Sequence, residues 1–258
     1  MLGTGAGPGA PSFFCDCPGC LEARENPRCA RTRSGALVST ENCQVLIDTP
    51  PDLRVQLLRE KISRIDSVFL THWHYDHFGG IGELEYYVKL RRKKPIDLYL
   101  PPSARKEFAE AFPDLQEVFC VIPWTFEQRY RFDGISITPL PAIHGIETAG
   151  FLVESTVRKL AYFPDTAGLS EEAARCVKGV DWLVCDATFT GENWFPEAHM
   201  SVEEAIELGR KVQARHTVLT HLAIHYSKPV TSRVLEEMAA RHAGVILAYD
   251  GTVFDLGI

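Results

Sequence analysis

The sequence predicts an α/β fold, on three observations. Short apolar, β-prone runs alternate with helical stretches, and the alternation recurs in two halves of the chain. The residues suited to chemistry fall just past the ends of these runs, where an open α/β sheet places its ligands. The 258 residues are 45% hydrophobic, enough for one large core or two small ones. With no internal linker, low-complexity tract or heptad run, one domain spanning 1–258 is expected.

The chain opens on Leu2-Gly3-Thr4-Gly5-Ala6-Gly7-Pro8-Gly9. No Gly-Lys-Ser/Thr closes it, so it is not a P-loop. A strand before Leu2 would be almost absent; either the edge strand is short or the native chain starts earlier. A flexible surface turn is the alternative. Cys15-Asp16-Cys17-Pro18-Gly19-Cys20 follows, within a cysteine-rich loop of about 15–29. Three clustered thiols in an intracellular chain favour zinc over disulfides. A structural site wants four ligands, and the fourth is either Cys29 or the distant His225. Buried or free thiols are the plainer reading.

Residues 36–39 and 44–48 flank Glu41-Asn42 and read as a hairpin. Residues 52–59 read as a helix, and 67–70 as a buried strand. Residues 83–92 form a helix ending in the basic run Lys89-Leu90-Arg91-Arg92-Lys93-Lys94. Such a run is a solvated helix end suited to the macrodipole, or a patch steering an anionic substrate. Strands are expected at 96–100, 118–122 and 135–140. A helix at 103–112 has Ser103 as its N-cap. A hairpin covers 150–154 and 159–163, then a strand 180–186. Ser201-Val202-Glu203-Glu204 has capping-box spacing and opens a helix to about 212. A strand at 217–220, a helix at 230–240 and strands around Ile246 and Val253 complete the chain.

The dense point is Thr71-His72-Trp73-His74-Tyr75-Asp76-His77, just past a strand. His72, His74 and Asp76 alternate by two, and His77 breaks the spacing and can aim at a second point. Imidazole and carboxylate suit zinc, iron or manganese. Ordinary surface histidines would be poor use of four such positions in six. His144, Asp165 and His221 also stand at strand exits. Together these residues are enough for two cations with a bridging carboxylate. His199 lies in a loop within reach of that site, as a general acid or as a surface histidine flanking a helix.

The His-x-His-x-Asp-His run resembles the metallo-β-lactamase superfamily of metal-dependent hydrolases. That resemblance implies a four-layer αβ/βα sandwich with two mixed sheets face to face. It also implies that His72, His74 and His144 hold one metal, that Asp76, His77 and His221 hold the other, and that Asp165 bridges them. With Gly3-Thr4-Gly5, Cys15-x-Cys17-x-x-Cys20, Phe163-x-Asp165-Thr166-Ala167-Gly168 and Leu219-Thr220-His221, nearly the whole chain resembles the PhnP-type phosphodiesterases. For that family the implication is hydrolysis of small, including cyclic, phosphodiesters by a hydroxide held between two manganese or zinc ions. Asp76 and Asp165 serve the reaction, His199 is the acid, and a separate structural zinc sits in the cysteine cluster. The family's fourth zinc ligand falls three residues after the last site histidine; here that position is Ile224, and the histidine is His225. Thr49-Pro50-Pro51-Asp52-Leu53-Arg54-Val55-Gln56-Leu57 and Cys185-Asp186-Ala187-Thr188-Phe189 resemble a sister group, the B protein of pyrroloquinoline quinone (PQQ) biosynthesis. Lactonase- and thioesterase-type relatives share the site but generally lack the cysteines. A non-catalytic metal-binding protein is the non-enzyme alternative, and retention of every expected ligand argues against it.

The formal charge of −7 argues against a nucleic-acid coat and leaves a small anionic phosphodiester as the expected partner. No apolar run approaches the ~20 residues that span a bilayer, and no signal peptide is visible. A cytoplasmic location is expected, and a homodimer is usual for the relatives.

Overall fold

The computed structural model describes residues 1–257. Two sheets carry the chain. The first places β1 (Ala36–Ser39), β2 (Gln44–Ile47), β3 (Ser67–Phe69), β4 (Ile96–Leu100) and β5 (Phe119–Pro123) side by side in that order. β1 and β2 are antiparallel, with Ala36 opposite Ile47, and β2 through β5 run parallel. The second sheet places β6 (Tyr130–Phe132), β7 (Ile135–Pro141), β8 (Ala149–Glu154), β9 (Lys159–Phe163), β10 (Trp182–Asp186), β11 (His216–Thr220) and β12 (Val245–Leu247) in neighbour order. β6 to β9 form an antiparallel meander, and β9 to β12 are parallel. Parallel neighbours need crossover connections, which bring helices onto the sheet faces.

The helices are α1 (Pro18–Glu25), α2 (Leu53–Arg59), α3 (Tyr75–Phe78), α4 (Leu84–Tyr86), α5 (Ala104–Ala111), α6 (Glu171–Cys176), α7 (Val202–Lys211) and α8 (Ser232–Ala240). The period-2 alternation of the strands assigns the layers. Val45, Ile47 and Phe69 of the first sheet meet Phe151, Tyr162, Val184 and Val218 of the second in a central core. Their neighbours Leu46, Val68 and Leu98 face outward onto Leu53, Leu84 and Phe108 of α2, α4 and α5. Leu183, Cys185 and Leu219 face Ala173, Ala205 and Leu235 of α6, α7 and α8. The result is helix, sheet, sheet, helix: the four-layer sandwich expected from the sequence.

The glycine-rich opening is a tie between the sheets. Gly3 bridges Gly35, and Gly5 bridges both Arg33 and Leu222. A Cβ on Gly3 would sit 2.0 Å from the Arg33 carbonyl oxygen, so only glycine permits that approach. Leu2 to Ala6 are buried, which corrects the surface-turn alternative.

Other expectations are also corrected. Ser103 does not cap α5 through its side chain, because its backbone is already helical (φ −62°, ψ −33°). Its N–H donates to Glu147 instead (2.9 Å). Val253 is not in a strand. Gly251 turns the chain at φ +89°, and Val253 then lies 85% exposed in coil. A cavity of about 320 Å³ lies between this coil, Val38 and Tyr162, and no candidate site residue lines it. The cysteine-rich loop is partly helical: Pro18 stands at the first turn of α1, where its missing N–H costs nothing. The segment 81–92 is helical throughout but changes from 3₁₀ through α to π geometry, ending at Lys93 in the left-handed region. Its basic run is a helix end: Lys89 pairs with Glu85 and Arg92 with Asp66. β6 and α6 were not anticipated. No helix among the described residues is long and apolar enough to cross a membrane.

Candidate metal centre

The loops after β3, β7, β9, β10 and β11 gather at one edge of the sandwich. They bring together His72, His74, Asp76 and His77, then His144, Asp165, His199 and His221. His72, His77 and His221 are almost fully buried, as is Asp165. In one group His72, His74, His144 and Asp165 each offer an atom within 4.8 Å of the others; in a second group Asp76, His77 and His221 do so. Asp165 lies between them. Its Oδ2 is 3.5 Å from His72 Nε2, 3.5 Å from His77 Nε2 and 3.7 Å from His221 Nε2.

Hydrogen bonds behind the rings decide which nitrogen faces inward. Asp48 can only accept, and it takes the Thr71 N–H (2.8 Å), the Thr71 hydroxyl (3.0 Å) and His77 Nδ1–H (2.8 Å). The Thr71 oxygen then accepts from His72 Nδ1–H (2.9 Å). His144 Nδ1–H donates to the Ala198 carbonyl (2.9 Å). Thr188 donates its hydroxyl to the His221 carbonyl (3.1 Å) and accepts from His221 Nδ1–H (2.9 Å). Four imidazoles therefore have Nδ1 engaged behind the ring and turn Nε2 to the centre.

A cation fits this arrangement. His74 Nδ1 lies 3.0 Å from His72 Nε2 and 3.2 Å from His144 Nε2. Lone pairs at that separation repel, so either a proton on His74 Nδ1 or a cation stands between them. Tetrahedral ligands at zinc–nitrogen distances of 2.0–2.1 Å sit about 3.3 Å apart. His77 Nε2 and His221 Nε2 are buried without a conventional hydrogen-bond partner, which is costly unless an ion takes them up.

Charge follows position. Burial, reinforced by the charge of His77, pushes His72 well below the ordinary imidazole range, and burial with His144 lowers His74. Both are held neutral, as a ligand must be. Burial also resists charging of His77, but Asp76, Asp48 and Asp165 outweigh it and hold the ring well above its usual value. A cation would have to displace that proton. Burial works against ionising Asp76 and Asp165, yet the surrounding imidazoles keep both below the carboxylate range.

His199 stands on the other oxygen of Asp165. Its Nδ1 is 2.8 Å from Asp165 Oδ1 and 3.0 Å from Asp186 Oδ2. Burial opposes its charge, but the two carboxylates hold its pKa up at about 10. Asp186, fully buried at the end of β10, also takes the N–H groups of Thr188 (2.8 Å) and Met200 (3.1 Å). The loop that bears His199 is thereby pinned. Both carboxylates engage Nδ1, which leaves Nε2 as the free corner of the ring.

Asp48, Thr71, Asp186 and Thr188 were missed as site residues. Asp48 and Asp186 end their strands as Asp165 does, and the strand-exit rule that picked Asp165 would have found them. Gly7 belongs here too: a Cβ on it would lie 3.2 Å from Asp76 Oδ2, so the glycine-rich opening forms a wall of the site.

The thiols form a separate cluster. Cys15, Cys17 and Cys20 converge within 4.8 Å, and His225 Nδ1 is 3.7 Å from Cys20 Sγ. Cys29 lies outside this group of donors. Burial raises Cys20 to about 12 and lowers His225. Packing brings the two segments together: a Cβ on Gly19 would stand 2.3 Å from the Val230 carbonyl oxygen and 2.7 Å from Ile224 Cδ1. Glycine alone lets α1 approach the His225 loop so closely.

Comparison with known proteins agrees with this geometry. Residues 44–222 match the model of the β-lactamase superfamily domain. The chain is 27% identical over 268 residues to an octanoyltransferase of Porphyromonas gingivalis, covering 97% of this chain but spanning only half the length of that protein. It is 30% identical over 222 residues to the coenzyme PQQ synthesis protein B of Methylobacterium radiotolerans, covering 73% of this chain and 72% of that one. A crystal structure described as a new diphosphatase from the PhnP family superposes with a TM-score of 0.84 at 27% identity, covering 99% of this chain and 96% of the other. With the family model matching more than half its length, over the segment that carries most of the candidate metal ligands, the chain belongs to the β-lactamase superfamily.

Proposed function

We propose that this chain is a metal-dependent phosphoric diester hydrolase acting on small anionic, including cyclic, phosphodiesters. The observation that carries the reading is the pairing around Asp165: imidazole nitrogens converge on Oδ2, and a carboxylate-held imidazole stands on Oδ1. His72, His74 and His144 would hold one divalent cation, Asp76, His77 and His221 a second, and Asp165 would serve both. Manganese, zinc and iron all suit these donors. Bound there, the cations would supply Lewis acidity and lower the pKa of water toward neutrality. The protein's own part is to hold the donors in register and to keep a proton at His199. With Nδ1 held by Asp165 and Asp186, Nε2–H is the proton that a leaving oxygen would take, an effect worth about 10²–10⁴ in rate. The cysteines with His225 would hold a structural zinc. The expected setting is the cytoplasm.

The 27% identity to a PhnP-family diphosphatase supports phosphoryl chemistry. A second reading, a role like that of PQQ synthesis protein B, is favoured by the 30% identity to that protein. Turnover of bis-p-nitrophenyl phosphate against p-nitrophenyl phosphate, after loading with manganese or zinc, separates the two. Prompt diester cleavage that disappears in Asp165→Ala is the expected result. An inert diester in protein carrying both metals would overturn the phosphodiesterase reading in favour of the second or of a lactonase- or thioesterase-type hydrolase.

A further inference from the structure

Five exposed large apolar side chains stand on the loops that carry the candidate site. Tyr75 (66% exposed) lies between His74 and Asp76 in the motif, and Ile143 (45%) and Ile146 (40%) flank His144. Trp194 (51%) and Phe195 (52%) lie on the loop that ends at His199. Exposed apolar groups clustered at the mouth of a polar site mark a binding surface.

The surface is best formed on the His199 side. Buried Phe189 supports two rings, with centroids 5.7 Å from Trp194 and 5.7 Å from Tyr226. Trp194 and Tyr226 lie 5.6 Å apart and only 30° from parallel. Phe189 is also 6.2 Å from the His199 ring, and the His199 N–H donates to the Phe195 carbonyl (2.9 Å). Shelf and acid are thus one packed unit. The acid must meet the oxygen that leaves, so whatever rests on the shelf belongs to the leaving side of the substrate. Half-exposed aromatic faces favour a planar π-system over a saturated chain, because stacking adds to the area buried.

We infer that the substrate carries a planar aromatic group, a nucleobase or an aryl ring, on its leaving side, stacked against Trp194 and Tyr226. This rests on the phosphodiesterase reading and narrows its substrate class. In the step implied, a bond forms between phosphorus and a water oxygen while the bond from phosphorus to the leaving oxygen breaks. That oxygen takes the proton from His199 and departs with the aromatic group attached. One proton of the water restores His199, the other passes to solvent, and the other ester group stays on the phosphate.

The test compares adenosine 5′-(methyl phosphate) with its abasic 1-deoxyribose analogue, with bis-p-nitrophenyl phosphate alongside. The bond broken is the same in the first two, and only the base differs. The expected result is a kcat/KM about tenfold higher with the base present and products of adenosine and methyl phosphate. That ratio should fall to near one in Trp194→Ala and be partly kept in Trp194→Phe; effects common to both substrates cancel in it. Release of AMP and methanol would place the base on the wrong side and overturn the inference. So would a wild-type ratio near one with bis-p-nitrophenyl phosphate still cleaved, or a ratio unchanged in both Trp194 variants. Failure to cleave all three would overturn the phosphodiesterase reading itself. An aryl rather than nucleobase preference would appear as a larger loss of kcat/KM in Trp194→Ala for phenyl methyl phosphate than for the adenosine ester, since leaving-group reactivity cancels within each substrate.

Discussion

Asp186 governs a proton at the edge of the centre, its carboxylate grouped within 4.8 Å of donor atoms of Asp165, His199 and His221. Its Oδ2 lies 3.0 Å from His199 Nδ1, and its Oδ1 holds two backbone N–H groups of the same loop. Asp186→Asn removes a carboxylate that favours the imidazolium. The His199 pKa should fall, so the proton is lost at lower pH. We expect the alkaline limb of the kcat/KM profile to move to lower pH; a limb that stays in place would show that His199 is not the acid titrating there. The same proton bears on stability in protein stripped of metal. The folded value of about 10 lies above the ordinary 6.5. Its stabilising contribution is therefore complete below about pH 6.5 and is lost as the pH rises through about 10. The histidines of this site were legible in the sequence because four potential ligands fall in six positions. Asp48 and Asp186 were legible as strand-exit carboxylates, but their partners were not, nor was the role of the threonines, because Asp48 to His77 and Thr188 to His221 are partnerships across 29 and 33 positions.

Local chemistry and neighbours share control of each element. Ser201 shows the first: its side chain accepts from Glu204 N–H, and the Glu204 side chain returns to the Ser201 backbone. That box was readable, and it starts α7 two residues after His199. Ser201→Ala should cost about 1 kcal/mol and lower the melting temperature by about 2–4 °C in a chain of this size. A calorimetric scan with no change would mean the cap is redundant. α6 was equally readable, since Ser170 caps it by accepting from Ala173 N–H and Glu171 and Glu172 fill its first turn. Val253 shows the second kind of control. Its β-branched side chain suits a strand, but Gly251 turns the chain and Val253 stands exposed in the coil that follows, with no packed face to hold it in a ladder. Ser103 likewise has the right side chain for a cap and the wrong backbone for it.

Across the whole molecule, chain segments far apart in sequence close around two donor clusters. The thiol cluster joins α1 to the loop after β11, with Cys20 and His225 separated by 205 positions. A metal there would cross-link the two, and its binding would stabilise the folded state alone. Cys17→Ser should lose one equivalent of zinc, by elemental analysis, and melt at a lower temperature while the histidine site still takes up metal. Unchanged zinc content would remove the structural-site assignment. Gly19 makes the joint at all, since any side chain would strike Val230.

The sequence by itself determined the α/β class, most of the strands and the chemistry-bearing residues. Periodicity, turn residues and ligand spacing are local properties that a short window carries. The choice between Cys29 and His225 as the partner of the cysteines was left open there, because spacing says nothing about approach. Only the tertiary structure brings His225 to Cys20 and leaves Cys29 outside the cluster of donors. It also decided which nitrogen the rings of His72, His77, His144 and His221 turn inward, and that Trp194 and Tyr226 pack with Phe189 beside His199. Those are relations between loops that share an edge of the sandwich, and they exist only once the two sheets have closed on their common core.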